Sequence, residues 1–109
     1  MYLAIDIGAT KVLLAVFTRD GELVEQLKFA TDETYEGLIR DLAVNIAQLS
    51  HKEFTQTVVA VPGRLDRRSG VALAFGNRSW TNVPIKHDVQ NIVHSPVAIE
   101  NDAKVAALS

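Results

Sequence analysis

The feature that most constrains this chain is its first 17 residues, in which two apolar runs flank a short polar turn. Residues 2–5 are continuously apolar, as in a strand buried on both faces, and residues 12–17 form a second strand-like run. A carboxylate, a glycine, a hydroxyl and an ammonium lie between them: Asp6, Gly8, Thr10 and Lys11. A carboxylate can hold Mg²⁺ through water, and a turn of small residues lets backbone N–H groups approach phosphate oxygens. The pattern predicts a hairpin tip that meets a metal-bound phosphate, with an ordinary polar hairpin as the alternative.

A second polar group follows an apolar strand near the other end of the sequence. Residues 97–99 read as a short buried strand, and Glu100, Asn101 and Asp102 come directly after it. Polar side chains at the end of a buried strand are a poor way to build a core, but they can place a base and its orienting partner in a cleft. The alternative is that Asn101 or Asp102 is only the N-cap of the helix predicted over residues 102–108.

Composition excludes several classes of function. At 109 residues the chain has the length of one domain, and 48% hydrophobic and 22% charged residues are typical of a globular protein. A net charge of −2 leaves no basic footprint for nucleic acid, and the absence of cysteine excludes disulfides and thiolate zinc sites within these residues. No apolar run approaches the roughly 20 residues of a membrane span, and no signal peptide is evident. We therefore expect a cytoplasmic protein with no nucleic-acid or membrane partner.

Hydrophobic periodicity and turn residues predict the order β-β-β-α-β-(β)-α-β-α. The predicted strands are residues 2–5, 12–17, 22–29, 54–61, 70–75 and 97–99, and the predicted helices are residues 34–49, 84–93 and 102–108. Residues 64–69 read as a polar loop after the strand stop at Pro62 and Gly63. Either Asp32 or Thr34 is the N-cap of the first helix.

Four short motifs, in order and at compatible spacing, make nearly the whole chain resemble the N-terminal half of the ROK family. This family comprises bacterial sugar kinases and related repressors of the actin-like ATPase superfamily. The motifs are Asp6-Ile-Gly-Ala-Thr-Lys11, then Val61-Pro-Gly63 with Asp66 and Ser69-Gly-Val71, then Asn77-Arg-Ser-Trp80 with Val83-Pro-Ile85, and Glu100-Asn-Asp102-Ala. The resemblance implies an α/β fold of the ribonuclease H-like (actin-like ATPase) kind, a half-domain with a mixed central sheet and flanking helices.

The resemblance also implies a role for each matching residue. Asp102 would be the catalytic base, accepting the proton of the sugar hydroxyl that attacks the γ-phosphate of ATP. The residues that bind the sugar would be Gly63, Asn77, Asn101 and Asp102. Those that bind the phosphates of ATP would be Asp6, Gly8, Thr10 and Lys11, with Asp6 also holding Mg²⁺ through water. Lys11 could instead be a solvated strand-edge lysine, and Trp80 could pack in the core rather than beside the sugar.

The sequence departs from the common family pattern at a few positions. Ala9 stands where a second glycine is usual, Arg64 where proline is common, and Arg78-Ser79 where Leu-Gly is common. These departures bear on the identity of the sugar more than on the kinase chemistry.

By resemblance, residues 1–109 are the N-terminal lobe of an ATP-dependent sugar kinase whose C-terminal lobe is absent. The γ-phosphate of ATP would pass to a hexose or amino-sugar hydroxyl, with ATP and Mg²⁺ as cofactors. The adenosine pocket, the second phosphate loop and any structural zinc site would lie in the missing half. The chain alone is therefore expected to be inactive.

Two other interpretations remain. The first is a sugar-sensing, repressor-type module. Such proteins usually carry a helix-turn-helix ahead of the phosphate motif, and a first strand that starts at Tyr2 argues against one. The second is a half-domain that acts by self-association. Because a missing lobe would leave apolar surface uncovered, we expect a homodimer formed near Val105 and Leu108.

Overall fold

The computed structural model describes residues 1–76 and 78–101, which fold into strands and helices around a mixed sheet. The strands are β1 (Tyr2–Ile7), β2 (Lys11–Phe17), β3 (Leu23–Ala30), β4 (Gln56–Ala60), β5 (Gly63–Asp66), β6 (Val71–Phe75), β7 (Thr81–Val83) and β8 (Val97–Glu100). The helices are α1 (Tyr35–Ala47) and α2 (Ile85–Val93). The helix predicted over residues 102–108, and with it the predicted dimer surface at Val105 and Leu108, lies outside the described residues.

The larger sheet has five strands in the order β3-β2-β1-β4-β8. β1, β2 and β3 pair antiparallel, because a short turn joins each to the next. β1 and β4, and then β4 and β8, pair parallel, and parallel neighbours need a long crossover. The first crossover contains α1, and the second contains β5, β6, β7 and α2. The carboxyl ends of β1, β4 and β8 therefore meet at one edge of the sheet.

The core lies between this sheet and the two helices. Leu3, Ile5 and Ile7 alternate along β1 with more exposed or smaller residues, and each is at most 2% exposed. They belong to the same buried cluster as Leu38 and Leu42 of α1, which lie four residues apart on one helix face. Tyr35 of α1 donates its hydroxyl to Asp88 Oδ2 of α2 at 2.6 Å. The hydrogen bond fixes the two helices relative to one another.

Both candidates for the first N-cap contribute to the start of α1. Thr34 is the N-cap, because its Oγ1 accepts from the backbone N–H of Gly37 at 3.0 Å. Asp32 Oδ2 in turn accepts from the backbone N–H of Thr34 at 2.9 Å and from its hydroxyl at 2.8 Å. Both hydrogen bonds lower the pKa of Asp32, and the one from the backbone N–H of Thr34 has the larger effect. Thr34 caps the helix, and Asp32 holds Thr34.

The smaller sheet is antiparallel, in the order β5-β6-β7, and it differs from the sequence prediction in two places. The predicted loop over residues 64–69 begins as strand β5, because Gly63 to Asp66 pair with β6 although they lack apolar alternation. β7 was not predicted, since it is three residues long and contains Asn82 with φ of 52°. Among residues 1–76 and 78–101, neither helix has the length and apolar character needed to span a membrane.

Candidate functional site

The candidate site begins with three strand ends that share one row of the parallel sheet. Asp6 of β1 lies opposite Ala60 of β4, and Ala60 lies opposite Glu100 of β8. Two strand spacings separate Asp6 from Glu100, which is about 10 Å between their backbones. Gly63 and Asn101 follow β4 and β8 at this edge. The carboxyl edge of a parallel sheet is where ligands bind in open α/β folds, so these residues border a candidate cleft.

Asp6 is exposed, although the residues on either side of it are buried. Its neighbours Ile5 and Ile7 point into the core, and strand alternation turns Asp6 to the opposite face. In the described part of the chain its carboxylate takes part in no hydrogen bond or ion pair. Both oxygens are therefore available to water, metal or phosphate.

Gly8 shapes the turn between β1 and β2. Its backbone N–H donates to the carbonyl of Lys11 at 2.9 Å. A Cβ at this position would lie 2.8 Å from the same oxygen, closer than real Cβ atoms come to a carbonyl. The turn thus requires glycine for lack of space rather than for an unusual φ. Thr10 and Lys11 are both exposed at its tip.

Residues far along the chain hold the carbonyl groups of this turn. Thr31 donates its hydroxyl to the carbonyl of Gly8 at 3.0 Å and its backbone N–H to that of Thr10 at 2.9 Å. Arg78 donates Nη2 to the carbonyl of Ala9 at 2.8 Å. All three carbonyls between β1 and β2 are thus taken up from one side.

Two N–H groups of the same turn, those of Ala9 and Thr10, are available to a ligand in the described part of the chain. None of the hydrogen bonds among residues 1–76 and 78–101 uses the backbone N–H of Ala9 or Thr10. Free N–H groups in a tight turn form a concavity that binds anions. The exposed hydroxyl of Thr10 and ammonium of Lys11 lie next to it in sequence and add two more donors. The geometry suits a phosphate group.

Gly63 and Asn101, two of the predicted sugar-binding residues, are in direct contact. The side-chain amide of Asn101 donates Nδ2 to the carbonyl of Gly63 at 2.8 Å and to that of Val61 at 3.2 Å. Gly63 has φ of 110°, and a Cβ there would lie 2.1 Å from the carbonyl oxygen of Ala74, so no other residue fits. Both amide hydrogens of Asn101 are thus used on the backbone, and its Oδ1 accepts from Nη2 of Arg67 at 3.5 Å, which leaves that oxygen one lone pair for a ligand.

Arg67 and Asp66 fix the loop that faces these residues. Arg67 donates Nε and Nη2 to one carboxylate oxygen of Glu100, at 3.2 and 3.0 Å. The carboxylate of Asp66 accepts from the backbone N–H groups of Arg68 at 3.1 Å and Ser69 at 3.3 Å. Hydrogen bonds from Ser69, followed by the one from Arg68, lower the pKa of Asp66. Asp66, which belongs to the second motif, therefore shapes its own turn.

Trp80 packs in the core, the alternative left open by the sequence. It is 8% exposed and meets the rings of Phe75 and Tyr35 edge-on, with centroids 4.9 and 5.9 Å away. Its indole N–H donates to the carbonyl of Glu33 at 3.1 Å. Trp80 thereby fastens the segment before α1, which also carries Thr31, to the segment before β7.

Two predicted site residues, Asn77 and Asp102, lie outside the described residues, although their neighbours Arg78 and Asn101 are described. The structure brings together Asp6, Gly8, Thr10 and Lys11 at the hairpin, and Gly63 with Asn101 at the adjacent strand ends. Sequence reasoning missed Thr31, and it noted Arg78 only as a departure from the family pattern. Their contacts with the hairpin span 23 and 69 residues, and no local signal marks either.

The exposed carboxylate of Asp6 suits a magnesium ion. Within the described residues, no three His, Asp or Glu side chains converge as a metal-binding group, and the chain has no cysteine. Mg²⁺ is held in many phosphate sites by one or two carboxylates, water and the phosphates themselves. Asp6, exposed and unpaired in the described part of the chain, can serve as that carboxylate.

Comparison with known proteins gives the class of this fold and site. The ROK family model matches residues 2–109. The glucokinase of Streptomyces coelicolor is 30% identical over 107 residues, covering 96% of this chain and 33% of that protein. The N-acetyl-D-glucosamine kinase of Haemophilus influenzae is 34% identical, covering 100% of this chain and 37% of that protein. The xylose repressor of Caldicellulosiruptor bescii is 30% identical, and the match covers 97% of this chain and 29% of that protein.

Among solved structures, the ROK family glucokinase of Streptomyces griseus, in complex with glucose and AMPPNP, superposes with a TM-score of 0.84. It is 30% identical, and the match covers 97% of this chain and 34% of that one. The fold is the mixed α/β fold of the actin-like ATPases, as predicted from the sequence. The chain belongs to the ROK family. It spans about a third of the length of the curated kinases it matches.

Proposed function

We propose that residues 1–109 are the N-terminal lobe of an ATP-dependent sugar kinase, which transfers the γ-phosphate of ATP to a hydroxyl of a hexose or amino sugar. The observation that carries the proposal is the row Asp6, Ala60, Glu100 at the carboxyl edge of the parallel sheet. It brings the hairpin that suits a phosphate beside the Gly63–Asn101 contact. Kinship with glucokinases and N-acetylglucosamine kinases supports the same chemistry.

On the phosphate side, the N–H groups of Ala9 and Thr10, the hydroxyl of Thr10 and the ammonium of Lys11 bind and orient the phosphates. Phosphoryl transfer has a loose transition state with charge spread over the phosphate oxygens, so fixed donors contribute mainly by positioning and by electrostatic stabilisation. The exposed carboxylate of Asp6 holds Mg²⁺ through water. When bound, the ion neutralises charge on the phosphates.

On the sugar side, Asp102 accepts the proton of the attacking hydroxyl, and Asn77, Gly63 and Asn101 bind the sugar. Asp102 follows Asn101 in sequence. Asn101 lies at the end of β8, and its side chain is held by the carbonyls of Val61 and Gly63. The proposed base therefore follows, in sequence, a residue whose side chain is anchored. In a loose transition state the base orients its nucleophile and takes the proton late. The reaction uses cytoplasmic ATP.

A second candidate function is sugar sensing without phosphorylation. The similarity to the xylose repressor of Caldicellulosiruptor bescii, over 97% of this chain, supports sugar sensing, because kinases and repressors both match this chain. A sensor needs the sugar pocket but neither a proton acceptor nor a phosphate-binding turn. The free carboxylate of Asp6 beside exposed turn donors therefore favours the kinase.

The test is Asp102→Asn in the full-length protein, because it keeps the size and one oxygen but removes the proton acceptor. We expect phosphorylation of glucose and of N-acetylglucosamine to be lost, with sugar affinity within about tenfold of the wild type. A coupled ADP-release assay measures turnover, and calorimetry measures sugar binding.

Asp41→Asn is the matched control, because Asp41 lies on α1 away from the strand ends, paired only with Arg40 at 3.8 Å in the described part of the chain. Normal turnover by Asp102→Asn would show that Asp102 is not the catalytic base and would favour the alternative that it is only a helix cap. A wild type that binds a sugar but never phosphorylates it would favour the sensor.

A further inference from the structure

Arg78 is placed where stability alone gives no reason for an arginine. Its Nε is buried and donates to no partner in the described part of the chain. A buried N–H without a partner is unfavourable, and an apolar side chain of similar length would avoid that cost. The arginine must therefore be explained by what its other atoms contact.

Those contacts lie on the phosphate side of the site. Nη2 of Arg78 donates to the carbonyl of Ala9 at 2.8 Å, and it also approaches the carbonyl of Thr31 at 3.4 Å. Thr31 itself holds the carbonyls on either side of Ala9. The guanidinium lies 5.8 Å from the ring centroid of Trp80, which restricts its orientation from the other side.

Fixing a carbonyl fixes the N–H groups of the same turn. Peptide groups are planar, so a peptide unit whose C=O is held toward Arg78 directs its N–H to the opposite side. The carbonyl of Ala9 and the N–H of Thr10 belong to one such unit. Nη2 of Arg78 thus sets the direction of a donor that faces the phosphate, and the charge of the guanidinium lies behind the turn.

We propose that Arg78 is a positioning residue for the nucleotide, acting through the Ala9–Thr10 peptide rather than by touching ATP. It orients the N–H of Thr10 toward the phosphates and adds a fixed positive charge behind them. This inference rests on the proposed function. Arg78 directly follows Asn77, a proposed sugar-binding residue, and its side chain contacts the phosphate-binding turn. One residue thus connects the segment proposed to bind the sugar with the turn proposed to bind the nucleotide.

The experiment compares Arg78→Leu, Arg78→Lys and Arg68→Leu in the full-length protein. Arg68 is the matched control, because it is an exposed arginine whose side chain makes no hydrogen bond or ion pair in the described residues. Calorimetry with Mg·AMPPNP should show a dissociation constant raised about tenfold for Arg78→Leu, since a charge-assisted hydrogen bond is lost. Arg78→Lys should fall between this variant and the wild type, and Arg68→Leu should bind normally.

The melting temperature separates positioning from general stability. Arg78→Leu removes the unpaired buried N–H, and water can reach the freed carbonyl because Ala9 is exposed. We expect its melting temperature to stay close to that of the wild type. Unchanged AMPPNP affinity in Arg78→Leu, or an equal loss in Arg68→Leu, would overturn the proposal. If Arg78→Leu folds poorly, a normal affinity in Arg78→Lys would overturn it too.

Amide hydrogen exchange tests the same proposal without a nucleotide. The N–H groups of Gly8 and Thr31 both hydrogen-bond within the turn, to Lys11 and Thr10. Both should exchange about tenfold faster in Arg78→Leu and at wild-type rates in Arg68→Leu. Unchanged exchange would refute the role of Arg78 in the turn. Faster exchange in a protein that does not bind AMPPNP would confirm that role and refute the kinase.

Discussion

Two hairpin turns in this molecule carry one aspartate each, and they use it in opposite ways. Between β5 and β6, the carboxylate of Asp66 accepts the N–H groups of Arg68 and Ser69, and the N–H of Gly70 donates back to the carbonyl of Asp66 at 2.9 Å. Between β1 and β2, the backbone is held by Thr31 and Arg78 from elsewhere in the chain, and the carboxylate of Asp6 makes no hydrogen bond or ion pair in the described residues.

The difference separates a structural carboxylate from an available one. In the β5–β6 turn the aspartate holds its own backbone, because Oδ1 of Asp66 accepts both N–H groups. The β1–β2 turn is shaped by Thr31 and Arg78, so the carboxylate of Asp6 and the N–H groups of Ala9 and Thr10 have no partner among the described residues. Both aspartates belong to family motifs, so motif membership alone does not say which of them meets the substrate.

The largest effect that this comparison predicts is on Asp6. Asp6→Ala in the full-length protein should lower kcat by on the order of 100-fold, since it removes the carboxylate that holds Mg²⁺ near the phosphates. Its melting temperature should not change, because the side chain is exposed and unpaired in the described part of the chain. Steady-state kinetics and calorimetric melting give the two values. Near-normal kcat would show that the free carboxylate has no part in the chemistry.

The reverse result is expected for Asp66. Asp66→Ala should lower the melting temperature by a few degrees, because the N–H groups of Arg68 and Ser69 lose their acceptor. The kcat of the folded variant should stay within about twofold of the wild type, because this carboxylate contacts only its own turn. A kcat loss as large as that of Asp6→Ala would contradict the distinction between the two turns.

The smallest effect concerns a third carboxylate, Glu25 of β3. Hydrogen bonds lower the pKa of Glu25 from 4.5 to about 2. The largest contribution comes from the backbone N–H of Ser50, and the next comes from the side chain of His51. Because the pKa is depressed in the folded state, the stabilisation is present above pH 4.5 and is lost as the pH falls toward 2. Glu25→Gln should therefore melt below the wild type at pH 6, with the difference vanishing near pH 2.

Glu53→Gln is the control for that series, because Glu53 is exposed and its side chain makes no hydrogen bond or ion pair in the described residues. Melting curves of both variants and the wild type between pH 2 and about 7 would decide the matter. A difference for Glu25→Gln that is constant over this range would mean that the charge of Glu25 contributes nothing.

Much of the fold follows from the sequence because its apolar pattern is local. The strands at residues 2–5, 12–17 and 97–99 and both described helices were predicted within a few residues, since buried runs and helical spacing identify them directly. The pairing of Gly63 with Asn101 was not predictable in detail. It depends on the register of the parallel strands β4 and β8, and the spacing of residues within either strand does not determine how the two strands align.

The remaining errors also have physical causes. β5 was predicted to be a loop because exposed strand residues such as Arg64 carry no apolar alternation. The exposure of Asp6 does not follow from its buried neighbours, because a strand has two faces and only one of them packs on the helices. Thr31 and Arg78 act through backbone carbonyls, and any residue type offers a carbonyl. Such contacts leave no pattern in the side chains they join.

The hydrogen bonds of Asn101 affect how substitution experiments on this protein should be interpreted. Its amide ties together the carbonyls of Val61 and Gly63, on either side of the bend at which one sheet gives way to the other. Exchange for aspartate would set an anion against two carbonyl oxygens, and exchange for alanine would release the bend. Either variant would lose activity whether or not Asn101 touches a sugar. Loss of function at this position therefore cannot be counted as proof of a ligand contact.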